Sequence, residues 1–124
     1  MLKEIIYTCV SLPLVLAICC SFLFPVELSQ DDTINFQQVS KLNDYLLLDA
    51  RSQIEFNKGH YPMAKHAENI DQALEVIFTL KKERSMIVVY CSPNCNSSKS
   101  LAKEIKDALE HNKVYYIAEG FINE

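Results

Sequence analysis

Two cysteines in one short segment, Cys91 and Cys95, are the residues of this chain best suited to covalent chemistry. Cys91 directly follows the segment 86–90, an apolar and β-branched run that predicts a central strand buried on both faces. A helix is predicted from about Ser97 to His111, where apolar residues recur at helical spacing. A loop between such elements directs backbone N–H groups and the positive end of the helix dipole inward, which favours a reactive thiolate. The spacing predicts a cysteine nucleophile at Cys91, with a buried structural thiol as the alternative.

The second cysteine of the segment, Cys95, suggests a further kind of chemistry. Three residues separate it from Cys91, so the two thiols can form a disulfide in which one attacks and the other resolves. An incidental Cys95 is the alternative. A zinc site that combines both cysteines with His60 and His66 is disfavoured, because the chain lacks Cys-x-x-Cys spacing. No metal ligands are therefore predicted.

An acid and a base follow an earlier apolar strand. Asp49 and Arg51 stand at the carboxyl end of the segment 46–48, where open α/β sheets place their sites, and one turn brings them into a charge-assisted pair. Gly59 is expected to supply a backbone conformation or a close approach that a side chain would block. His60 is expected to be a hydrogen-bonded scaffold residue rather than a catalyst.

These residues belong to a longer series of motifs. The first half contains Asp49-Ala50-Arg51, then Glu55-Phe56, then Gly59-His60-Tyr61-Pro62-Met63-Ala64. The second half contains the strand before Cys91, a helix, and a last apolar segment at 113–117 before Glu119-Gly120-Phe121. In this order the chain resembles the rhodanese-like domain family over residues 34–124. The resemblance implies an α/β fold with a small, mainly parallel sheet flanked by helices on both faces.

The resemblance also implies a function. Rhodanese-like sulfurtransferases carry a sulfane sulfur as a persulfide on the cysteine that corresponds to Cys91, so the expected partners are a small sulfur donor, thiosulfate or a persulfide, and a thiol acceptor. No cofactor is expected. Asp49, Arg51, Gly59 and His60 would organise the loops. The persulfide-binding loop would comprise Ser92, Pro93, Asn94, Cys95, Asn96, Ser97, Ser98 and Lys99.

One departure from the family pattern leaves the function open. The common loop reads Cys-x-x-x-x-Arg-Ser, whereas this chain has Asn96 in the place of the arginine, and only Lys99 adds a positive charge. The missing arginine and the short segment after Gly120 favour a catalytically inactive module that binds a protein partner. A thiol–disulfide exchanger that uses Cys91 and Cys95 is a further alternative.

The amino end predicts a membrane segment. Residues 5–24 form an apolar run of 20 residues without charge, which is long enough to span a bilayer as a helix. We therefore divide the chain into an anchor at 1–24, a linker at 25–33 and the domain at 34–124. Lys3 precedes the run and acidic residues follow it, which favours a domain outside the cytoplasm. A cleaved signal peptide and a secreted domain are the alternative.

Composition excludes other classes of function. The formal net charge is −4 and the chain has no basic patch, which argues against nucleic acid as a partner. Gly59 and Gly120 are the only glycines, so no glycine-rich phosphate loop exists and nucleotide cofactors are not expected. A further helix is predicted at 71–82, with Asp71 able to cap it or to charge its first turn.

Overall fold

The computed structural model describes residues 32–110 and 113–122, which form a parallel sheet flanked by helices. The helices are α1 (Phe36–Val39), α2 (Gln53–Lys58), α3 (Ile70–Thr79) and α4 (Ser97–Leu109). The strands are β1 (Tyr45–Asp49), β2 (Lys65–His66), β3 (Met86–Tyr90) and β4 (Val114–Tyr116). They run in the order β2-β1-β3-β4, and each neighbouring pair is parallel. The predicted parallel α/β fold is confirmed.

The predicted membrane anchor at 5–24 lies outside the described residues. Within the part that the structure describes, no helix combines the length and the apolar character needed to cross a bilayer.

The two faces of the sheet are covered by different helices. Leu46, Leu48, Ile87 and Val89 point toward α3 and α4, and this core includes Ala73, Ile77, Leu101 and Ile105. Leu47, Val88 and Tyr90 point to the other face, where they pack with Val39 of α1 and with Ile117. Because side chains alternate along a strand, Tyr90 and Cys91 face opposite layers.

The helix boundaries follow local hydrogen bonds. The helix α3 begins after Asn69, whose side chain accepts a hydrogen bond from the Gln72 N–H at 2.9 Å. The sequence predicts that Asp71 caps this helix or charges its first turn. Asn69 is the cap, and Asp71 lies in the first turn, where its negative charge interacts favourably with the helix dipole. The helix ends at Thr79, earlier than predicted, since Lys81 adopts a left-handed φ of 55°.

The register of the strands brings the candidate residues together. Asp49, the last residue of β1, pairs with Tyr90 at the end of β3 on one side and with His66 at the end of β2 on the other. Since all three strands are parallel, the loops that follow them begin at the same edge of the sheet. This edge carries the candidate site.

Candidate active site

The carboxylate of Asp49 is the centre of a buried polar network. Arg51 donates to it from Nε to Oδ1 at 3.0 Å and from Nη2 to Oδ2 at 2.7 Å, and the Arg51 backbone N–H donates to Oδ1 at 2.9 Å. The Tyr90 hydroxyl donates to Oδ2 at 2.8 Å. Asp49 is 0% exposed and Arg51 is 6% exposed. Both charges are therefore removed from water and compensated by close, well-directed hydrogen bonds.

The same network ties three loops to one another. Arg51 Nη2 donates to the Gly59 carbonyl at 2.7 Å, and the Tyr90 hydroxyl accepts from the Tyr61 N–H at 3.0 Å. His66 Nε2 lies 2.8 Å from the Arg51 carbonyl. The hydrogen bonds that Arg51 donates to Asp49 raise the pKa of Arg51. Burial, with a further contribution from Asp49, raises the pKa of the Tyr90 hydroxyl.

Aromatic rings cover this network. The Phe36 ring stacks on Tyr61 with centroids 4.7 Å apart and meets the Tyr90 ring edge-on at 5.5 Å. The Arg51 guanidinium lies 4.9 Å from the centroid of the Phe121 ring. The Arg51 guanidinium is thus paired with Asp49 and covered by the Phe121 ring. Its charge therefore holds the loops together and is not accessible to a substrate.

Gly59 and His60 lie at the rim of the site. Gly59 has a φ of 160°, which is extended backbone open to other residues, and it serves the network through its carbonyl oxygen. His60 is exposed; its Nδ1 lies 3.0 Å from the Phe56 carbonyl and its ring stacks on Phe56 at 3.8 Å. Both residues are therefore placed as scaffold around the end of α2.

Cys91 and Cys95 form a disulfide across the loop between β3 and α4, with Cα atoms 6.3 Å apart. Cys91 is 1% exposed, whereas Cys95 is partly exposed. Cys91 Sγ lies 3.4 Å from the carbonyl oxygens of Ser92 and Cys95, and 3.7 Å from Ser98 Oγ. The Ser97 N–H donates to Cys95 Sγ at 3.4 Å. The two sulfurs therefore have unequal surroundings and unequal access to solvent.

The remaining residues of the loop mostly face solvent. Pro93, Asn94, Asn96, Ser97 and Lys99 are exposed, and Ser92 is partly buried. Asn94 has a left-handed φ of 61°, a conformation that asparagine tolerates better than most residues. Ser98 is the exception, because it is 2% exposed and its hydroxyl contacts the Cys91 sulfur.

Metal-binding geometry does not occur at this edge. Across residues 32–110 and 113–122, no three His, Cys, Asp or Glu side chains cluster closely enough to hold a metal ion.

Comparison with known proteins places this geometry in a family. The model of the rhodanese-like domain matches residues 35–123. The chain belongs to the rhodanese-like domain family. A comparison with curated proteins finds no match. The match spans the whole described sheet, so Cys91 directly follows the third strand of a rhodanese-like domain.

Residues 120–121 form a backbone clamp on the loop that follows Cys91 in this rhodanese-like domain. The Phe121 N–H donates to the Cys91 carbonyl at 2.8 Å. Gly120 has a left-handed φ of 80°, and a Cβ placed on it would lie 2.6 Å from Pro93 N and 2.8 Å from the Ser92 carbonyl carbon. Only a glycine allows the segment to approach the loop this closely.

Sequence reasoning missed two functional contacts in this domain. Tyr90 was assigned only to the apolar strand, although a hydroxyl at the last strand position beside Asp49 signals a polar role. The sequence places Gly120 only in the family motif, although one of just two glycines, a few residues after the last strand, is a signal of a close backbone approach.

Proposed function

We propose that this rhodanese-like domain is a sulfurtransferase in which Cys91 carries the transferred sulfur. The Cys91 thiolate attacks the sulfane sulfur of thiosulfate or of a persulfide, and sulfite or a thiolate leaves. The acceptor thiolate then attacks the outer sulfur of the Cys91 persulfide, which returns Cys91 to a thiolate. The observation that carries this proposal is the place of Cys91, which directly follows the central strand β3 in a domain of this family.

The surroundings of Cys91 support a nucleophilic role. Ser98, a buried hydroxyl, lies 3.7 Å from Cys91 Sγ and can donate to a thiolate there. The helix α4 begins at Ser97, so the positive end of its dipole faces the loop. In the disulfide form, however, the carbonyls of Ser92 and Cys95 face this sulfur. We expect these peptides to rotate on reduction, so that loop N–H groups stabilise the anionic persulfide.

Intact-mass measurement tests the proposal directly. The full chain carrying Cys95→Ser, which cannot form the loop disulfide, is purified in mild detergent, reduced, treated with thiosulfate or a polysulfide and then weighed. We expect a gain of about 32 Da, one sulfur, that maps to Cys91. The matched Cys91→Ser protein should show no gain. Absence of a gain from the Cys95→Ser protein, or sulfur on Cys95 in the Cys91→Ser protein, would contradict the assignment.

The disulfide itself favours a second candidate function, thiol–disulfide exchange. Cys91 and Cys95 form the only disulfide among the described residues, and Cys95 is partly exposed to solvent. Titration of the pair against glutathione redox buffers tests this function. A reversible midpoint together with stoichiometric oxidation of a dithiol substrate would support exchange, and failure to reduce the pair would exclude it.

A catalytically inactive binding module is the third candidate. Its support is that no arginine stands in the loop and that the Arg51 charge is covered by Phe121. A protein that gains no sulfur from any donor, yet retains a partner through its loop, would establish this alternative.

We further propose that residues 5–24 anchor the domain at the outer face of a membrane, with a secreted domain after signal cleavage as the alternative. The support is the uncharged apolar run in the sequence. Membrane fractions washed with alkaline carbonate should retain the full chain. Recovery of the domain in the wash, with a new amino terminus after the run, would support cleavage.

A further inference from the structure

The unequal exposure of the two bonded sulfurs carries an inference about how the persulfide is discharged. We propose that Cys95 resolves the Cys91 persulfide, that the sulfur leaves as hydrogen sulfide, and that a dithiol reductant resets the site by attacking Cys95. This inference rests on the proposed persulfide chemistry at Cys91. It adds a product, an order of steps and a class of partner.

The resolving step balances within the loop. The Cys95 thiolate forms a bond to Cys91 Sγ while the bond from Cys91 Sγ to the outer sulfur breaks. The outer sulfur leaves with the electron pair as HS⁻. Cys95 is thereby oxidised from a thiol to a disulfide, and the outer sulfur is reduced to sulfide. No external oxidant is needed, because the sulfur donor has already supplied the oxidising equivalents.

The backbone already holds the product of this step. The Cα atoms of Cys91 and Cys95 are 6.3 Å apart, within the range that disulfides span without backbone movement. Asn94, with its φ of 61°, provides the left-handed turn between the two cysteines. Phe121 fixes the Cys91 carbonyl from the other side. The second thiol is therefore positioned beside the first and competes favourably with an acceptor from solution.

Burial decides which sulfur an incoming reductant attacks. Cys91 is 1% exposed in the disulfide, so a thiol from solution cannot approach it, whereas Cys95 is partly exposed. The reductant's first thiolate bonds to Cys95 Sγ, and Cys91 leaves as the thiolate. The reductant's second thiolate then attacks the first reductant sulfur, which releases Cys95 and leaves the oxidised reductant. A dithiol completes this sequence without a further molecule.

The polar contacts of both sulfurs fit these roles. When Cys91 leaves, the Ser98 hydroxyl at 3.7 Å can donate to the thiolate that forms. When Cys95 leaves, the Ser97 N–H at 3.4 Å can donate to its sulfur at the beginning of α4. Each leaving thiolate thus has a hydrogen-bond donor at hand, and a donor to a thiolate lowers the cost of its departure.

A single-turnover experiment on the full chain tests the resolving step. The reduced protein in mild detergent receives one equivalent of thiosulfate, whose leaving group is sulfite, with no other thiol present, and sulfide and protein mass are followed together. The wild-type protein should release sulfide and end two hydrogens lighter than the reduced form. Cys95→Ser should keep the added sulfur on Cys91 and release sulfide at least about tenfold more slowly.

One control variant and the pattern of outcomes distinguish the resolving role of Cys95 from the sulfur-carrying role of Cys91. Cys9→Ser, which changes a cysteine outside the described residues, should behave as the wild-type protein does. Retention of the persulfide by the wild-type protein, or equally fast sulfide release by Cys95→Ser, would overturn the resolving role while leaving Cys91 as the sulfur carrier. If neither the wild-type protein nor Cys95→Ser takes sulfur from thiosulfate, the proposed sulfurtransferase function itself fails.

The site of reductant attack has its own readout. Glutathione, added to the oxidised wild-type protein in limiting amount and quenched with acid, should form a mixed disulfide that peptide mapping places on Cys95. A glutathione adduct on Cys91 would overturn the assigned direction of attack. Dithiothreitol, a dithiol, should reduce the pair fully without a lasting adduct, and persistence of its adduct would contradict the reset step.

Discussion

The ends of strands β1 and β3 are hydrogen-bonded neighbours, yet they are built in opposite ways. At the end of β1, both oxygens of the buried Asp49 carboxylate accept hydrogen bonds from Arg51, and Tyr90 adds another. At the end of β3, the buried Cys91 sulfur faces two carbonyl oxygens and is bonded to a partly exposed Cys95. The charges at the end of β1 are fully compensated by hydrogen bonds, whereas the disulfide after β3 is a bond that thiol chemistry can break and re-form. We expect the network at Asp49 to hold strand β3 in place during the chemistry proposed for the loop.

The difference has an energetic basis. A buried charge that loses its partner costs several kcal/mol, so the network at Asp49 resists rearrangement. The loop after Cys91 has mostly exposed residues, whose backbone groups can exchange partners with water at little cost. We therefore expect substitutions at the end of β1 to affect mainly the stability of the fold, and substitutions around the loop after β3 to affect mainly its reactivity.

The largest loss of stability is expected at the fixed end. Asp49→Asn removes the counterion of Arg51, which is 6% exposed, and should lower the free energy of unfolding by about 3–5 kcal/mol. Urea unfolding followed by circular dichroism measures this change. An unfolding midpoint equal to that of the wild-type protein would show that the network is not the fixed element described above.

Gly120→Ala should damage the reactive end. The new Cβ would lie 2.6 Å from Pro93 N, and the alanine would have to adopt an unfavourable φ of 80°. We expect the free energy of unfolding to fall by about 1–3 kcal/mol. A displaced loop should also slow persulfide formation, by up to about 100-fold for a shift near 1 Å. Gly59→Ala is the matched control, because Gly59 is in extended backbone and keeps its carbonyl. Equal effects of the two substitutions would refute a specific clamp.

Tyr90→Phe tests the link between the two ends. It leaves the Tyr61 N–H and Asp49 Oδ2 each without one hydrogen bond and should cost about 1–3 kcal/mol. The pKa of Tyr90 is raised in the folded protein, so its stabilising effect is complete below about pH 10 and is lost as the pH rises toward that raised value. Tyr90→Phe should therefore lose less stability than the wild-type protein between neutral pH and about pH 11.

Thermal unfolding at several alkaline pH values measures this dependence. Tyr116→Phe serves as the control, since its hydroxyl lies outside the network, and it should keep the alkaline loss of stability. An unchanged alkaline slope in Tyr90→Phe would mean that another group titrates.

The smallest effect on stability is expected for the exposed ion pair of Asp44 and Lys82, in which Lys82 Nζ lies 2.9 Å from Asp44 Oδ1. The hydrogen bond and charge of Lys82 lower the pKa of Asp44, so the pair stabilises the fold above about pH 4 and this contribution is lost as the pH falls through the lowered value. Asp44→Asn should shift the urea midpoint at neutral pH far less than Asp49→Asn does, and not at all at about pH 2. A shift as large as that of Asp49→Asn would remove the distinction between buried and exposed pairs.

Local sequence patterns predict most strands and helices correctly. The features that they do not predict depend on contacts between distant segments of the chain. The apolar run identified β3 with the observed bounds, Met86–Tyr90, because a buried central strand leaves a continuous signal. The helix α4 starts at Ser97 as predicted. The predicted last strand at 113–117 is longer than β4, which spans Val114–Tyr116.

The contacts of the candidate site also comprise local ones, which the sequence predicts, and long-range ones, which it does not. Asp49 and Arg51 are two positions apart, so their pairing can be inferred from one turn of chain. The hydrogen bond from Tyr90 to Asp49 joins residues 41 positions apart, and the clamp of Gly120 on Pro93 also depends on how the sheet brings distant segments together. Nor does spacing show which of two cysteines is buried. Those features required the strand register.

The strand order β2-β1-β3-β4 places both site-bearing strands in the interior of the sheet. Each of them pairs with another strand on both sides, so we expect deuterium to enter the paired amides of β1 and β3 only when the whole domain opens. Amides of the exposed loop at 92–96 should exchange through local fluctuations alone. The cysteine pair can thus pass through many rounds of bond breakage on timescales much shorter than the lifetime of the fold that supports it.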